Sequence, residues 1–394
     1  MQLHLTRSVQ IDSLALPPAS AEALAHSARL CDLIRAEIAQ AGGWLSFERY
    51  MQLALYAPGL GYYSAGVVSF GEGGDFVTAP DISPLFARTL VVQAREIMAN
   101  SKDQILELGA GNGMLAADLL RELEQVHALP SRYFILEPSA PLRERQRATL
   151  RRRVPELLSH VEWLTRLPDQ FRGLIIGNEV LDALPVHLLA WRKEGVMERG
   201  VIFSGERLGW QERPTTDFAL LQAAQQIDAG VDYVSEIGLA ASALTATLVD
   251  ILEAGAILLV DYGFGHREYY HPQRSDGTLM CHYRQRAHAD PFFLPGLQDV
   301  TTHVNFSAVA QAATGAGADL LSYTSQAQFL INCGITDLLA QTPVDQGGRY
   351  FSLAAGVQKL TSPAEMGELF KVIAFGKSCA ALTGFRSGDR RHQL

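Results

Sequence analysis

The chain has 394 residues, of which 48% are hydrophobic and 19% are charged, and at roughly 150 residues per domain this length predicts two or three folded units. A formal net charge of −9 argues against a general affinity for nucleic acid or anionic membranes. The four cysteines lie far apart and form no CxxC pair, which argues against a zinc site and a disulfide scaffold. No apolar run approaches the roughly 18 residues of a membrane span.

Three helices are predicted in the first hundred residues. Apolar residues at helical spacing predict the first over residues 21–41, where Gly42-Gly43 ends it. The stretch FERYMQLALY is the second, and it runs into the turn-rich APGLGYYSAG and the glycine-rich FGEGGDFVTAPDIS. Ser83 and Pro84 suit the N-cap and first position of the third helix, which continues to about residue 100.

Short apolar strands alternate with amphipathic helices from Gln104 onward. The predicted strands are 104–108, 132–137, 161–164, 173–178 and 256–264. Because these strands are nearly continuous apolar runs separated by helices, they indicate a parallel sheet that is covered on both faces. The fold class is therefore α/β.

Two segments depart from this alternation. Residues 186–213 alternate like an antiparallel meander and predict a β insertion. Residues 265–305 are rich in His, Tyr, Pro, Asp and Gly, and they predict a loop too long to be a simple connector. Loops of this kind usually belong to a functional site.

The strongest local signal is the glycine loop Glu107-Leu-Gly109-Ala-Gly111-Asn-Gly113, which lies between a predicted strand and a predicted helix. The glycines allow a tight turn and the close approach of a ligand, while the helix N-terminus supplies N–H groups. The spacing differs from the dinucleotide fingerprint, whose third glycine is replaced here by Met114. With its leading acid Glu107, the loop resembles the S-adenosylmethionine (SAM) loop of class I methyltransferases, in which the acid orients the amino-acid moiety of the cofactor.

A second acid, Glu137, ends the next predicted strand, 24 residues after Gly113. A carboxylate at this position can accept hydrogen bonds from both hydroxyls of a ribose. The glycine loop and its two acids together predict a cofactor that carries a nucleoside. NAD is the main alternative, and the glycine spacing disfavours it.

Three polar residues, Asn178, Glu179 and Asp182, follow the fourth predicted strand. In open α/β sheets the ligand crevice lies at the carboxyl ends of the strands, so these side chains are expected to face the reactive end of the cofactor. Methyl transfer from SAM requires a nucleophile held in line with the methyl group. Carboxylates can hold and orient a cationic nucleophile such as a guanidinium. The alternative is that Glu179 or Asp182 merely caps a short helix.

Several blocks of the sequence, in matching order from about residue 25 to 375, together resemble the MidA-type class I methyltransferases. That family includes the mitochondrial complex I assembly factor that methylates a protein arginine. The blocks are SFERYMQLALYAPGLGYYS, GDFVTAPDISPLFA, ILELGAGNGMLAADLL, GNEVLDALPV, LLVDYGF and DGTLMCHYRQRAHADPFFLPGLQDVTTHVNF. Asp81 replaces the glutamate of the typical family block, which shortens the side chain and keeps the acid.

The resemblance implies a class I methyltransferase (Rossmann-like) sheet with helices on both faces, an N-terminal helical cap and an antiparallel β insertion. Residues 1–100 would form the cap and a cofactor-covering loop, and residues 101–394 the core with the insertion and the long site loop. SAM would contact a set of residues on the glycine loop, the second acid and the covering loop. That set is Gly109, Gly111, Gly113, Glu137, Asp75, Phe76, Thr78 and Pro80.

The implied activity is that of a SAM-dependent methyltransferase acting on a protein arginine. A small-molecule methyltransferase and a SAM-binding assembly module without turnover remain alternatives. The expected partner is a protein substrate, with no nucleic acid and no membrane insertion, and a homodimer stays open. The expected location is cytoplasmic, or mitochondrial if the source is eukaryotic, although no clear transit peptide is seen.

Three further features are assigned from the residues alone. Six arginines within residues 143–153 are expected to form a solvated basic face rather than a site for RNA. The histidines of residues 265–305 lack the spacing of a metal site, so no metal is expected. Glu236 precedes a predicted helix, and either a dipole contact with that helix or a second acid in the substrate pocket remains open.

Overall fold

The computed structural model describes residues 16–66, 77–343 and 347–394. Helices and strands alternate along most of the described chain. The helices are α1 (Ala21–Gln40), α2 (Phe47–Tyr56), α3 (Ala79–Ile82), α4 (Pro84–Asn100), α5 (Met114–Gln125), α6 (Ala140–Arg153), α7 (Phe218–Gln225), α8 (Leu239–Ile251), α9 (His266–Tyr269), α10 (Phe306–Gly315), α11 (Gln326–Asn332), α12 (Ile335–Ala340), α13 (Gly347–Thr361) and α14 (Met366–Leu369). In the described part of the chain, none of them is long and apolar enough to cross a bilayer.

The strands belong to three sheets. They are β1 (Leu45–Ser46), β2 (Gln104–Leu108), β3 (Arg132–Leu136), β4 (Val161–Leu164), β5 (Phe171–Asn178), β6 (His187–Arg192), β7 (Gly195–Ser204), β8 (Arg207–Pro214), β9 (Tyr233–Ile237), β10 (Leu252–Phe264), β11 (Met280–Tyr283), β12 (Arg286–His288), β13 (Asp299–Thr301), β14 (Val304–Asn305), β15 (Asp319–Ser325) and β16 (Phe370–Lys377).

The main sheet has the strand order β15-β16-β10-β5-β2-β3-β4, and the short β14 adds to the end of β10. The five strands predicted from the sequence are parallel to one another, as expected. The structure adds β16, which is antiparallel to both β10 and β15. The chain order reverses beside β2, which is where open α/β sheets place their ligand crevice.

Helices cover both faces of the main sheet. Along β10, Leu258 and Val260 belong to the core shared with α4 and α5, whereas Ile257 and Leu259 belong to the core shared with α8 and α10. All four side chains are at most 1% exposed. Burial on both faces explains why this strand reads as an unbroken apolar run.

The predicted β insertion is present as the antiparallel strands β6, β7 and β8, joined by β9 and β1 into a second sheet. The N-terminal helices pack on this sheet, because Leu30 of α1 and Phe47 of α2 share a core with Leu188 and Val201. Helix α4 packs instead against α5 and β5 of the main sheet. The domain boundary near residue 100 stays a prediction.

The segment 265–305 is not the long loop that the sequence predicts. It contains α9 and a third sheet of order β12-β11-β13, which Cys281 and Val300 anchor in the core of the N-terminal helices. Glu236 fastens this segment, since its Oε1 accepts hydrogen bonds from the backbone N–H groups of Thr278 (2.7 Å) and Leu279 (2.8 Å). It lies within β9, two residues before the N-cap of α8, and it is not among the residues that line the cavity described below.

The basic helix α6 is more engaged than a solvated face. Arg153 pairs with the buried Asp118 at 2.6 Å, Arg147 lies over the Trp163 ring, and Arg143 donates to the carbonyl oxygen of Glu137 at 2.9 Å. The expectation of a free basic surface is therefore wrong for these three arginines, because their side chains fasten α6 to α5, β4 and the end of β3.

Candidate active site

A cavity of about 1210 Å³ opens at the carboxyl ends of β2, β3, β5 and β10. Pockets for one ligand usually measure about 300–1,000 Å³, so this cavity can hold a cofactor together with part of a second substrate. We call the part lined by residues 107–112 and 136–142 the glycine-loop half. The tyrosine half is the part lined by Tyr56, Tyr63, Asp182, Tyr262, Asp299 and His303.

The three glycines of the loop have left-handed backbone conformations. Their φ angles are +57° at Gly109, +51° at Gly111 and +81° at Gly113, a region in which other residues are strained. A Cβ on Gly113 would also lie 3.1 Å from the Cα of Gln146 on α6. Since Gly113 is the N-cap of α5, the loop turns the N-terminus of this helix toward the cavity.

The leading acid Glu107 is buried beneath the loop. Its Oε2 accepts a hydrogen bond from the Tyr133 hydroxyl at 2.7 Å, and the side chain lines the cavity. Burial raises the pKa of Glu107 to about 7, although the hydrogen bond from Tyr133 opposes this shift. Tyr133 on β3 therefore fixes the orientation of this acid.

The second acid, Glu137, also lines the cavity and is held on both oxygens. Ser139 N donates to Oε1 at 2.9 Å, and Gln146 Nε2 donates to Oε2 at 3.1 Å. Gln146 also reaches the carbonyl oxygen of Gly111 at 3.2 Å. Each carboxylate oxygen keeps lone pairs for further donors such as ribose hydroxyls. The sequence analysis did not single out Gln146. The available indication was that it is the one amide side chain among the arginines of α6.

The predicted covering loop is described only in part. Asp75 and Phe76 lie outside the described residues, whereas Thr78 and Pro80 line the cavity. Asp81 accepts hydrogen bonds from Thr78 Oγ1 at 3.0 Å and from Asn112 Nδ2 at 2.8 Å. The segment 78–82 is thereby attached to the glycine loop.

Asn178 and Glu179 begin a turn at the end of β5. Glu179 has a φ of +53°, which is uncommon for a residue other than glycine and marks a constrained position. Its N–H donates to the carbonyl oxygen of Val260 at 2.8 Å. Its Oε1 accepts from Asn178 Nδ2 at 3.0 Å and from the Ala79 N–H at 3.4 Å. The helix-capping alternative is not observed, because no helix follows this turn before α7.

Asp182 lies on the same turn and reaches the tyrosine half. Its Oδ2 accepts a hydrogen bond from the Tyr262 hydroxyl at 2.8 Å, whereas the buried Oδ1 has no partner in the described structure. Burial raises the pKa of Asp182 to about 6, although the hydrogen bond from Tyr262 and the nearby backbone N–H groups of Ala183 and Asp182 oppose this shift. Burial, followed by the charge of Asp182, raises the pKa of Glu179 to about 8. The structure thus brings the two predicted acids close enough to influence each other's ionisation.

Two tyrosines and a third acid complete this half, and sequence reasoning missed all three. The rings of Tyr56 and Tyr63 stack with centroids 5.6 Å apart. The Tyr63 hydroxyl donates to Asp299 Oδ1 at 2.9 Å, and the Tyr56 hydroxyl donates to the Ala183 carbonyl oxygen at 2.9 Å. Tyr63 lies in the stretch APGLGYYS and Asp299 in GLQDVTT, and these two stretches are more than 200 residues apart in the sequence.

The charge of the cavity is one-sided. Its acids are Glu107, Glu137, Glu179, Asp182 and Asp299, and among the described lining residues there is no Lys or Arg. No group of three or more His, Cys, Asp or Glu in the described ranges could hold a metal ion. A cation stabilises the ionised form of each of these acids, so the cavity favours a cationic ligand.

Comparisons with known proteins agree with this geometry. The chain belongs to the family described as "Putative S-adenosyl-L-methionine-dependent methyltransferase", which it matches over residues 85–324. A solved structure from Burkholderia thailandensis, bound to S-adenosyl-homocysteine, is 49% identical, with a TM-score of 0.94 over 96% of this chain and 100% of that chain. The class I methyltransferase fold, the resemblance to the MidA-type family and SAM as the cofactor are therefore confirmed.

Curated relatives are more distant in sequence. The mitochondrial protein arginine methyltransferase NDUFAF7 of Mus musculus is 30% identical over 84% of this chain and 81% of its own length. The corresponding protein of Danio rerio is 29% identical over 84% of this chain and 83% of its own length. Both names include a mitochondrial location, as do those from Drosophila melanogaster and Homo sapiens. The expectation of a cytoplasmic protein is corrected by these relatives.

Proposed function

We propose that this methyltransferase acts on the guanidinium group of a protein arginine. The observation that carries the proposal is the row of acids in the cavity without a lysine or arginine among the described lining residues, together with the unpartnered Oδ1 of Asp182. A buried carboxylate oxygen without a donor is costly, and a guanidinium supplies paired N–H donors and a compensating charge. The names of the curated relatives support the same substrate class.

The glycine-loop half is proposed to hold SAM, which supplies an electrophilic methyl group when bound. Gly109 and Gly111 line this half and let the backbone approach the cofactor closely, whereas Gly113 is the N-cap of α5 and lets the loop pack against Gln146. Glu137 accepts the ribose hydroxyls, and Glu107 is the acid for the amino-acid moiety. Thr78 and Pro80 lie over this half, and Asp75 and Phe76 are proposed to extend that cover.

Glu179 and Asp182 are proposed to bind the acceptor. A guanidinium has a pKa above 12, so it enters as a cation and need not be deprotonated beforehand. The two carboxylates would hold it and orient one nitrogen toward the methyl group. As the new N–C bond formed and the S–CH3 bond of the sulfonium broke, S-adenosyl-homocysteine would be left and one carboxylate would take the proton that the nitrogen loses. Asn178 faces the cofactor side of the turn. Burial raises the pKa of both acids, and an entering cation lowers it again because it stabilises their ionised forms.

A small cationic molecule is the second candidate substrate, and the depth of the acids favours it. Asp182 is only 6% exposed, so an arginine on a protein reaches it only from an extended or terminal segment. The third possibility, a SAM-binding assembly module without turnover, makes no use of the unpartnered carboxylate oxygen.

The test uses SAM with a labelled methyl group and extract from cells that lack this gene. Label is expected in protein, and mass spectrometry of the labelled proteins should find methylarginine. Asp182→Asn is the matched control, because it keeps the side chain's size and removes its charge. Label confined to small molecules would replace the proposal with the second candidate. Cofactor binding without any transfer would favour the assembly module.

A further inference from the structure

The turn that carries Glu179 and Asp182 is built around another side chain, Asp261 of β10. We infer that Asp261 is a positioning residue, which holds the two acceptor-binding acids in place without touching the substrate. The inference rests on the proposed roles of Glu179 and Asp182. Asp261 itself is 1% exposed and is not among the residues that line the cavity.

One oxygen of Asp261 accepts the backbone N–H groups of this turn, in the way that an N-cap side chain does at the start of a helix. Its Oδ2 accepts three consecutive backbone N–H groups, from Val180 at 3.1 Å, Leu181 at 2.8 Å and Asp182 at 3.3 Å. Buried N–H groups without a partner are rare in folded proteins. Because these three point at a single carboxylate, the path of the chain from Val180 to Asp182 depends on that carboxylate.

The same strand holds the other end of the turn. The carbonyl oxygen of Val260 accepts the N–H of Glu179 at 2.8 Å, and this bond accompanies the left-handed conformation of Glu179. Strained backbone persists where the surrounding structure over-determines it. Val260 and Asp261 are adjacent, so one short stretch of β10 fixes both acids relative to the sheet.

Asp261 also acts on Asp182 by a second route. Its Oδ1 accepts the N–H of Tyr262 at 2.9 Å, and the Tyr262 hydroxyl donates to Asp182 Oδ2 at 2.8 Å. Asp261 therefore orients both the backbone of Asp182 and the tyrosine that holds its side chain. This leaves Asp182 Oδ1 as the oxygen that can receive a donor from the substrate.

The charge of Asp261 has a further effect. Burial and the neighbouring acids Asp182 and Glu179 raise the pKa of Asp261, while its backbone N–H donors favour the ionised form. When ionised, it adds negative potential behind the two acids that face the cavity. That potential favours a cation between them and would be lost in an amide.

The test compares Asp261→Ala with Asp261→Asn. The alanine variant removes both carboxylate oxygens that accept these backbone N–H groups. It should lower kcat by about 10²-fold or more while the affinity for S-adenosyl-homocysteine stays unchanged. The asparagine oxygen can still accept the three N–H groups, but the amide nitrogen cannot accept the N–H of Tyr262, so this variant should recover only part of kcat. Because Tyr262 then orients Asp182 less well, the KM for the cationic acceptor should stay raised, by about tenfold.

Asp389→Ala is the control, because Asp389 also accepts two backbone N–H groups, from Tyr323 and Arg391, and is not among the residues that line the cavity. It should lower the melting temperature and leave kcat unchanged. If Asp261→Ala loses stability as Asp389→Ala does and keeps wild-type kcat, Asp261 is structural only and the inference fails. Should the alanine variant not fold, a wild-type KM and kcat in Asp261→Asn would overturn it equally.

The separate effects of the two Asp261 variants on kcat and KM can be measured with any acceptor that the wild-type enzyme methylates. If that acceptor is not an arginine and these effects are still found, the proposed substrate fails and the positioning role stands. If arginine is methylated and both Asp261 variants are normal, only the positioning role fails. Crystal structures of the variants with S-adenosyl-homocysteine should show the Glu179 turn displaced in Asp261→Ala and retained in Asp261→Asn.

Discussion

The two halves of the cavity are built in different ways. In the glycine-loop half, Tyr133 holds Glu107, and Ser139 and Gln146 hold Glu137 on both oxygens. In the tyrosine half, the buried Oδ1 of Asp182 has no donor in the described structure, and the neighbouring turn carries a strained backbone. The first half is therefore held by groups of the protein itself, whereas the second is proposed to be completed by a ligand that brings positive charge and N–H donors.

The largest effect is expected from Gly111→Val in the first half. A β-branched residue at a φ of +51° is strained by about 1–3 kcal/mol, and its side chain would occupy the space where the cofactor approaches. Binding of SAM and of S-adenosyl-homocysteine, measured by calorimetry, should be abolished. Gly205→Val is the control, because Gly205 also has a positive φ, of +65°, in open space between β7 and β8.

That control should cost stability and leave cofactor binding intact. The wild-type protein should bind NADH far more weakly than SAM in the same calorimeter. Binding of NADH without SAM would refute the assignment of the glycine loop.

In the second half, Asp182→Asn should cut kcat by about 10²-fold or more and leave SAM affinity nearly unchanged. The reason is that the amide loses the charge that holds the acceptor but keeps the volume of the side chain. Single-turnover kinetics and calorimetry measure the two quantities separately. A collapse of SAM affinity with normal turnover would mean that Asp182 serves the cofactor, and the division between the halves would be wrong.

A smaller effect is expected from Tyr262→Phe, which removes the hydrogen bond to Asp182 and keeps the ring. That bond favours the ionised carboxylate, so its loss should raise the pKa of Asp182 above about 6. The acid limb of the pH–rate profile should then move to higher pH, with turnover at neutral pH lower by about tenfold. Tyr133→Phe is the contrasting variant, since it disturbs Glu107 and should change SAM affinity instead. An unmoved acid limb in Tyr262→Phe would contradict the role of the bond.

The smallest effect concerns stability without ligands. The pKa of Glu179 is raised to about 8 and that of Asp182 to about 6, so the folded protein binds more protons than the unfolded chain between about pH 4 and pH 8. Stability from these two acids is therefore present at low pH and is lost as the pH rises toward 8. Glu179→Gln should reduce the fall in melting temperature between pH 5 and pH 8.

The exposed acid Glu144 supplies the control, and Glu144→Gln should leave the slope as it is in the wild type. An identical slope in all three proteins would show that the crowded acids do not govern the pH dependence.

The contrast between the halves also explains what the sequence could predict. The glycine loop and Glu137 follow two neighbouring strands, so a local pattern identifies them, and the parallel strands are recognisable as apolar runs. Asp299, Tyr56 and Asp261 come from segments far apart in the chain, and only the fold brings them to the turn of Glu179. The sheet of residues 265–305 was missed because its strands are only three or four residues long, which is too short to show an alternating pattern, and turn-forming residues surround them.

The contacts of Asp81 limit which substitutions this sequence can accept. Its two oxygens hold Thr78 and Asn112, while Ala79, two residues earlier, donates to Glu179. A substitution at Asp81 would therefore change the contacts of both the glycine loop and Glu179. Substitutions at residues 81 and 112 should not be additive, because each changes what the other contributes. Descendants of this sequence should exchange these two residues together, even though neither is expected to touch the atoms that react.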